Sequence, residues 1–159
     1  LTGWEVRTLN KDSSIILIEG LSFLSNKKIQ VASLPEEMRI KPMDTLQLNC
    51  LGLDYKIYMT DSEKKKSYSD IWIWKLYLTA KKNGIVITEF LTELYGFKNY
   101  YDEELTYIVF AGDIDSDGFL DLVIERECNN TDTYILYLSR PADNGHLLKA
   151  VGQHTATGC

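Results

Sequence analysis

Residues 113–121 read Asp-Ile-Asp-Ser-Asp-Gly-Phe-Leu-Asp. The first three carboxylates stand at alternate positions, and a glycine follows the third. Side chains this short converge on one point only if the backbone curls, and Gly118 stands where a curl needs a left-handed residue. Carboxylate oxygens are hard donors. Calcium, a hard cation, takes six to eight oxygens at about 2.3–2.6 Å. On this reading Asp113, Asp115 and Asp117 ligate by side chain at loop positions one, three and five. The carbonyl of Phe119 at position seven is a natural fourth ligand, and Asp121 at position nine is the closing acid. An EF-hand would need a glutamate at position twelve, where this chain has Ile124. Magnesium fits less well, because its octahedral shell retains several waters. The alternative without metal is a tight turn with exposed aspartates, whose mutual repulsion would raise their pKa values or loosen the loop.

Two strands must hold such a loop. Thr106-Tyr-Ile-Val-Phe110 enters it and Leu120-Asp-Leu-Val-Ile-Glu125 leaves it, both rich in β-branched and aromatic residues. The whole stretch, Ala111-Gly-Asp-Ile-Asp-Ser-Asp-Gly-Phe-Leu-Asp-Leu-Val-Ile124, resembles the calcium loop of FG-GAP and VCBS-type repeats, familiar from integrin β-propeller blades and bacterial secreted proteins. That resemblance implies side-chain ligation by Asp113, Asp115, Asp117 and Asp121, backbone ligation by Phe119, and an outward-pointing Ser116. It covers the loop and not a propeller, since a single copy cannot close a ring. More loosely, residues 105–159, with Leu136-Tyr-Leu-Ser-Arg-Pro-Ala142 and the Thr-Gly-Cys ending, look like a group of single-copy bacterial secreted or periplasmic proteins.

The rest of the chain reads as strands and turns. Trp4–Leu9 and Ile15–Ile18 are strand-like, with a turn at Asn10–Ser13 between them. Leu46–Leu48 and Tyr55–Met59 alternate as half-buried strands do. Pro35 and Pro42 flank a segment suited to loop or one helical turn. Asp61–Asp70 is a polar connection whose three lysines suit a solvated tip. Ile71–Ala80 is expected to be the longest strand, with Trp72, Trp74, Leu76 and Leu78 on one face. Core packing is the first expectation for that face and sugar binding the second. Asn83-Gly84 suits a type I′ turn. A two-residue loop there places Glu89 opposite Leu78, whereas a slip of one residue brings Thr88 or Phe90. Leu94–Leu105 reads as loop or a helical turn within one, Cys128–Asp132 as a turn, Thr133–Leu138 as a strand and His146–Val151 as the last strand before a Thr/Gly-rich tail. Helical periodicity is missing. The expectation is one all-β domain over residues 1–159, mostly antiparallel, as a sandwich, barrel or twisted meander with little helix.

Composition narrows the function. A chain of 159 residues with 45% hydrophobic and 25% charged residues is an ordinary globular domain. Its net charge of -6 argues against nucleic acid, which calls for a basic face. No apolar run reaches the ~20 residues of a membrane helix. The chain starts at Leu1, which fits either a removed leader or trimming. Cys50, Cys128 and Cys159 allow free thiols or one disulfide, Cys128–Cys159 being the sharper pairing. Asn129-Asn-Thr131 matches a glycosylation sequon. GxSxG, HExxH and P-loop motifs are missing, and His146 and His154 are the only histidines. Millimolar calcium occurs outside cells, so the loop implies an extracytoplasmic location: periplasmic, secreted or surface-anchored. The expectation is a calcium-binding β domain serving as a binding or accessory module, with a protein or glycan as ligand. The alternative is a glycan-directed hydrolase with calcium near its cleft.

Overall fold

The computed structural model describes residues 18, 20–24, 28–34, 38–60, 63–64, 71–82, 84–97, 104–143 and 145–158. Trp4–Leu9, most of Ile15–Ile18 and Cys159 lie outside the described residues, as do the Cys128–Cys159 pairing and most of the lysine-rich tip. Among the described residues there are ten strands and no helix: β1 (Gln30–Val31), β2 (Thr45–Cys50), β3 (Leu53–Met59), β4 (Glu63–Lys64), β5 (Ile71–Lys82), β6 (Ile85–Phe97), β7 (Leu105–Asp113), β8 (Asp121–Cys128), β9 (Thr131–Leu138) and β10 (Lys149–Thr157). No helix in this set is long and apolar enough to cross a membrane.

The strands form two open antiparallel sheets. The first has the order β1-β7-β8-β9-β10. In the second, β6 pairs β5 from Lys82↔Ile85 to Ile71↔Phe97, so β3 and the short β4 share the opposite edge of β5, and β2 lies outside β3. The all-β expectation holds, and its sandwich form is the one observed. Leu48, Ile57, Leu76, Leu78 and Leu94 from the second sheet share one core with Ile108, Leu122, Ile124, Ile135 and Tyr137 from the first. A fully buried Leu or Ile contributes about 1.5–3 kcal/mol relative to exposure, so this shared layer dominates the stability.

Alternation explains most of the burial. In β3, Tyr55, Ile57 and Met59 are buried while Lys56 faces out. In β5, Leu76 and Leu78 are buried, and Trp74 packs against the core on the same face. β5 ends at Lys82 and β6 begins at Ile85; Asn83, and with it the turn type, lies outside the described residues. Gly84 has φ 82°, and Glu89 stands opposite Leu78. One residue later the ladder slips, because Leu91 is an extra residue in β6: Leu76 faces Thr92 and Tyr77 faces Phe90. Before the slip, the pairings Tyr58↔Tyr77 and Tyr77↔Phe90 set an aromatic row on the outer face of the second sheet, with Tyr58 stacked on Tyr77 and Phe90 edge-on to it.

Three boundaries differ from the sequence reading. β6 runs on to Phe97, so Leu94–Phe97 is strand and β6, at 13 residues, is the longest strand. Its extra length is held because β5 offers paired positions back to Ile71. β10 extends through the Thr/Gly-rich tail to Thr157, which pairs with Thr131. The turn after β8 is only Asn129–Asn130, with Cys128 opposite Thr131.

A second layer covers the other face of the first sheet. Phe110, Val123 and Leu138 pack there with Leu21, Phe23, Leu24 and Ile29. Ile108 faces the inter-sheet core, yet Phe110 faces this outer layer, because the exposed Val109 is an extra residue that reverses the alternation. The edge of β7 is not left bare. β1 pairs with Asp113 and Gly112, and farther along Ile40 N–H donates to Thr106 O while Ile108 N–H donates to Met38 O. Between these contacts Ser33 bridges to Asn49 of β2. Residues 30–33 and 38–40 therefore occupy the edge of β7, with Ser33 reaching the second sheet, and block edge-to-edge pairing there.

Candidate metal centre

β7 ends at Asp113 and β8 begins at Asp121, so the aspartate loop is the connection of an antiparallel hairpin in the first sheet. The strand–loop–strand setting of the sequence reading is the observed one. Two left-handed residues bend the loop, Gly118 at φ 89° and the exposed Ser116 at φ 62°. The bend turns backbone N–H groups inward, toward the carboxylates. Asp117 N–H donates to Asp113 Oδ1 at 3.1 Å and to Asp115 Oδ1 at 3.0 Å. Gly118 N–H donates to Asp113 Oδ2 at 3.1 Å, and Phe119 N–H to Asp117 Oδ1 at 2.9 Å.

The consequence is a tight cluster. Asp113, Asp115 and Asp117 each bring a carboxylate oxygen to within 4.8 Å of the others. Two oxygens that each lie at most about 2.6 Å from one cation are at most about 5.2 Å apart, so this spacing fits a common ion. Asp113 and Asp115 are buried, at 6% and 2% exposure. Asp115 Oδ2 is the telling atom: it is buried and accepts no hydrogen bond. Arg140 Nε lies 3.2 Å from it, near enough for an ion pair but outside hydrogen-bond geometry. Arg140 supplies this oxygen with a countercharge but no hydrogen bond, so its lone pairs stay open to a metal ion. The residues present thus fit a metal ion.

Asp121 sits differently. It is fully buried and lies outside the three-carboxylate group. Its Oδ2 accepts Ile114 N–H at 2.7 Å, and its Oδ1 accepts Ser139 N–H at 2.8 Å. It thereby ties both ends of the loop to the end of β9. Ser139 Oγ stands 2.8 Å from Asp117 Oδ2 and 3.2 Å from Asp121 Oδ1. A hydroxyl has one proton to donate, and the shorter contact takes it. Phe119 is held at the cluster by its amide, and Leu120 N–H donates to the Tyr55 hydroxyl at 3.3 Å, joining the loop to the second sheet.

Electrostatics records the crowding. Burial pushes the Asp121 carboxyl up to about 7; hydrogen bonds from Ser139 and Ile114 oppose this, and Asp115 and Asp117 add to it. Burial also raises Asp115, Asp117 adds to the rise, and Arg140 opposes it. Burial raises the Tyr55 hydroxyl to about 12 and lifts the Cys50 thiol, with Asp113 and Asp121 contributing to the latter. A divalent cation among the three carboxylates would reverse this logic by favouring their charged forms.

No family model, curated protein or solved structure matches this chain. The functional reading therefore rests on the residues themselves.

Ser139, Arg140 and Tyr55 escaped the motif reading because they are distant in sequence. One signal could have found the first two. With a two-residue turn at Asn129–Asn130, counting back along the hairpin from Cys128↔Thr131 through Leu122↔Tyr137 sets the end of β9 beside Asp121. The two histidines are not brought together. His146 Nδ1 contacts Glu89 at 3.0 Å, where Leu147 N–H also donates, while His154 is exposed on β10 opposite Tyr134.

Proposed function

We propose that the protein is a calcium-binding β-sandwich domain of extracytoplasmic location, acting as a binding or accessory module in which the ion is structural. The observation that carries this reading is the clustering of Asp113, Asp115 and Asp117 around a buried, incompletely satisfied Asp115 oxygen. An all-oxygen donor set of carboxylates is the chemistry of a hard cation, and the crowded negative charge favours calcium. Asp113, Asp115 and Asp117 would supply side-chain oxygens and Phe119 its carbonyl. Asp121 would close the set; each of its oxygens has one N–H donor and a further lone pair. When bound, the ion supplies positive charge that fixes the β7–β8 hairpin. The resemblance of the loop to FG-GAP and VCBS-type repeats points the same way.

Extracellular modules hold calcium with Kd of about 0.1–1 mM. At ~1 mM calcium and a Kd of ~0.1 mM, mass action adds roughly 1.4 kcal/mol to stability. That strengthens a hairpin without deciding whether the sandwich folds, and it operates only where calcium is millimolar. Any ligand of the module, whether protein or glycan, would be met elsewhere on the molecule.

The test is thermal unfolding with calcium and with chelator, beside Asp115→Asn. The wild type is expected to melt higher in millimolar calcium, and Asp115→Asn to lose that increment while remaining folded in chelator. Equal melting temperatures for the wild type in calcium and chelator would overturn the proposal.

A further inference from the structure

Arg140 is not a neutral bystander of the aspartate loop. Its Nε stands 3.2 Å from Asp115 Oδ2, the one oxygen of the cluster that has no hydrogen bond. Its Nη2 donates to the Asp115 carbonyl at 3.3 Å. Its guanidinium carbon lies 5.7 Å from the ring centroid of Phe23, in the segment that covers the outer face of the first sheet. Three contacts of different kinds therefore hold one positive charge against one ligand atom. Asp115 is fully buried by side chain, whereas Arg140 is 44% exposed and has solvent to turn into.

We propose that Arg140 is a built-in competitor for the cation site: it neutralises Asp115 when the ion is absent and weakens ion binding by holding Asp115 Oδ2. This rests on the metal reading of the loop. Charge and access set the competition. A cation among Asp113, Asp115 and Asp117 needs an oxygen from Asp115. Oδ1 accepts Asp117 N–H and keeps one further lone pair, whereas Oδ2 accepts no hydrogen bond, so Oδ2 is the freer oxygen and Arg140 stands against it. An incoming ion must displace the guanidinium or share the carboxylate with it, and either outcome costs affinity. The Phe23 ring and the Asp115 carbonyl keep the guanidinium close, so the cost is not removed by simple diffusion of a loose side chain. The benefit falls on the metal-free protein, in which a buried carboxylate would otherwise lack a countercharge. Arg140 thus tunes the site toward weaker, millimolar-range binding and keeps the hairpin folded when calcium falls.

Calorimetric titration with calcium chloride tests this on the full chain, with wild type, Arg140→Gln and Arg140→Lys compared, and circular dichroism confirming that each is folded. Arg140→Gln is expected to bind calcium about tenfold more tightly, about 1.4 kcal/mol, and to melt below wild type in chelator. Arg140→Lys, which keeps the charge, is expected to bind close to wild type. Equal or weaker binding by a folded Arg140→Gln, with calcium still bound by the wild type, would overturn the role of Arg140 and leave the metal site standing. If Arg140→Gln does not fold, Arg140→Met, which keeps an apolar stem beside Phe23 but not the charge, takes its place, and equal or weaker calcium binding by it would overturn the competitor role. If neither wild type nor any variant takes up calcium, both readings fall.

Discussion

A buried carboxyl that holds its proton near neutrality gives the metal-free protein a distinctive pH dependence. Asp121 is raised to about 7, above the usual value of about 3.9 for an aspartate in an unfolded chain. Between those values the folded state binds the proton and the unfolded state does not, so unfolding releases protons and stability falls as pH rises. The contribution is complete below about 4 and is lost on passing through about 7. Asp115 is raised as well and acts in the same direction. In chelator, unfolding free energy is therefore expected to decline from pH 4 toward pH 7, and the decline to flatten in Asp121→Asn. Denaturant titrations at several pH values measure this. A wild-type stability that climbs over the same interval, or a slope identical in Asp121→Asn, would contradict the assignment. Calcium favours the charged carboxylates and is expected to reduce the slope.

At the scale of elements, the hairpin depends on a close approach. A methyl group at Gly112 would stand 2.1 Å from Gln30 O and 2.8 Å from the Phe110 ring, against backbone that has little room to move. Gly112→Ala should push β1 off the edge of β7, at a cost of about 1–3 kcal/mol, the range of other overpacking substitutions. Hydrogen exchange would show it as lost protection at Ala32, whose N–H bonds Ala111 O at 2.9 Å. Unchanged protection there would mean that β1 yields without separating.

The same elements show what a sequence can disclose. The aspartate loop was legible because its chemistry is local: residue types, spacing and one glycine suffice. The β5–β6 hairpin register, with Glu89 opposite Leu78, was legible for the same reason. The extra residues Leu91 and Val109 were not, since neither differs in type from an ordinary strand residue, and each becomes visible only through its partner strand. Leu94–Leu105 read as loop and the Thr/Gly-rich tail as lying beyond the last strand, but a long partner strand in register overrides weak local preference. Ser139 and Arg140 reach the loop only because β9 returns beside β8, a fact of topology that composition does not contain.

At the scale of the whole molecule, two sheets share one core, while residues 30–33 and 38–40 and an outer layer cover the side on which the loop lies. The loop is joined to both sheets, through Ser139 to the first and through Tyr55 to the second. An ion at this junction would reinforce the contact between layers as well as the hairpin. The outer face of the second sheet, with its row of Tyr58, Tyr77 and Phe90, remains separate from that arrangement.

Asp113, Asp115 and Asp117 are proposed to surround one calcium ion. The most direct measurement is a crystal structure of the protein grown in calcium, with anomalous scattering used to locate the ion. On this proposal an anomalous peak is expected among the three carboxylates, with six to eight oxygens at about 2.3–2.6 Å and the Phe119 carbonyl among them. A structure without that peak in saturating calcium, with Arg140 still against Asp115, would contradict it.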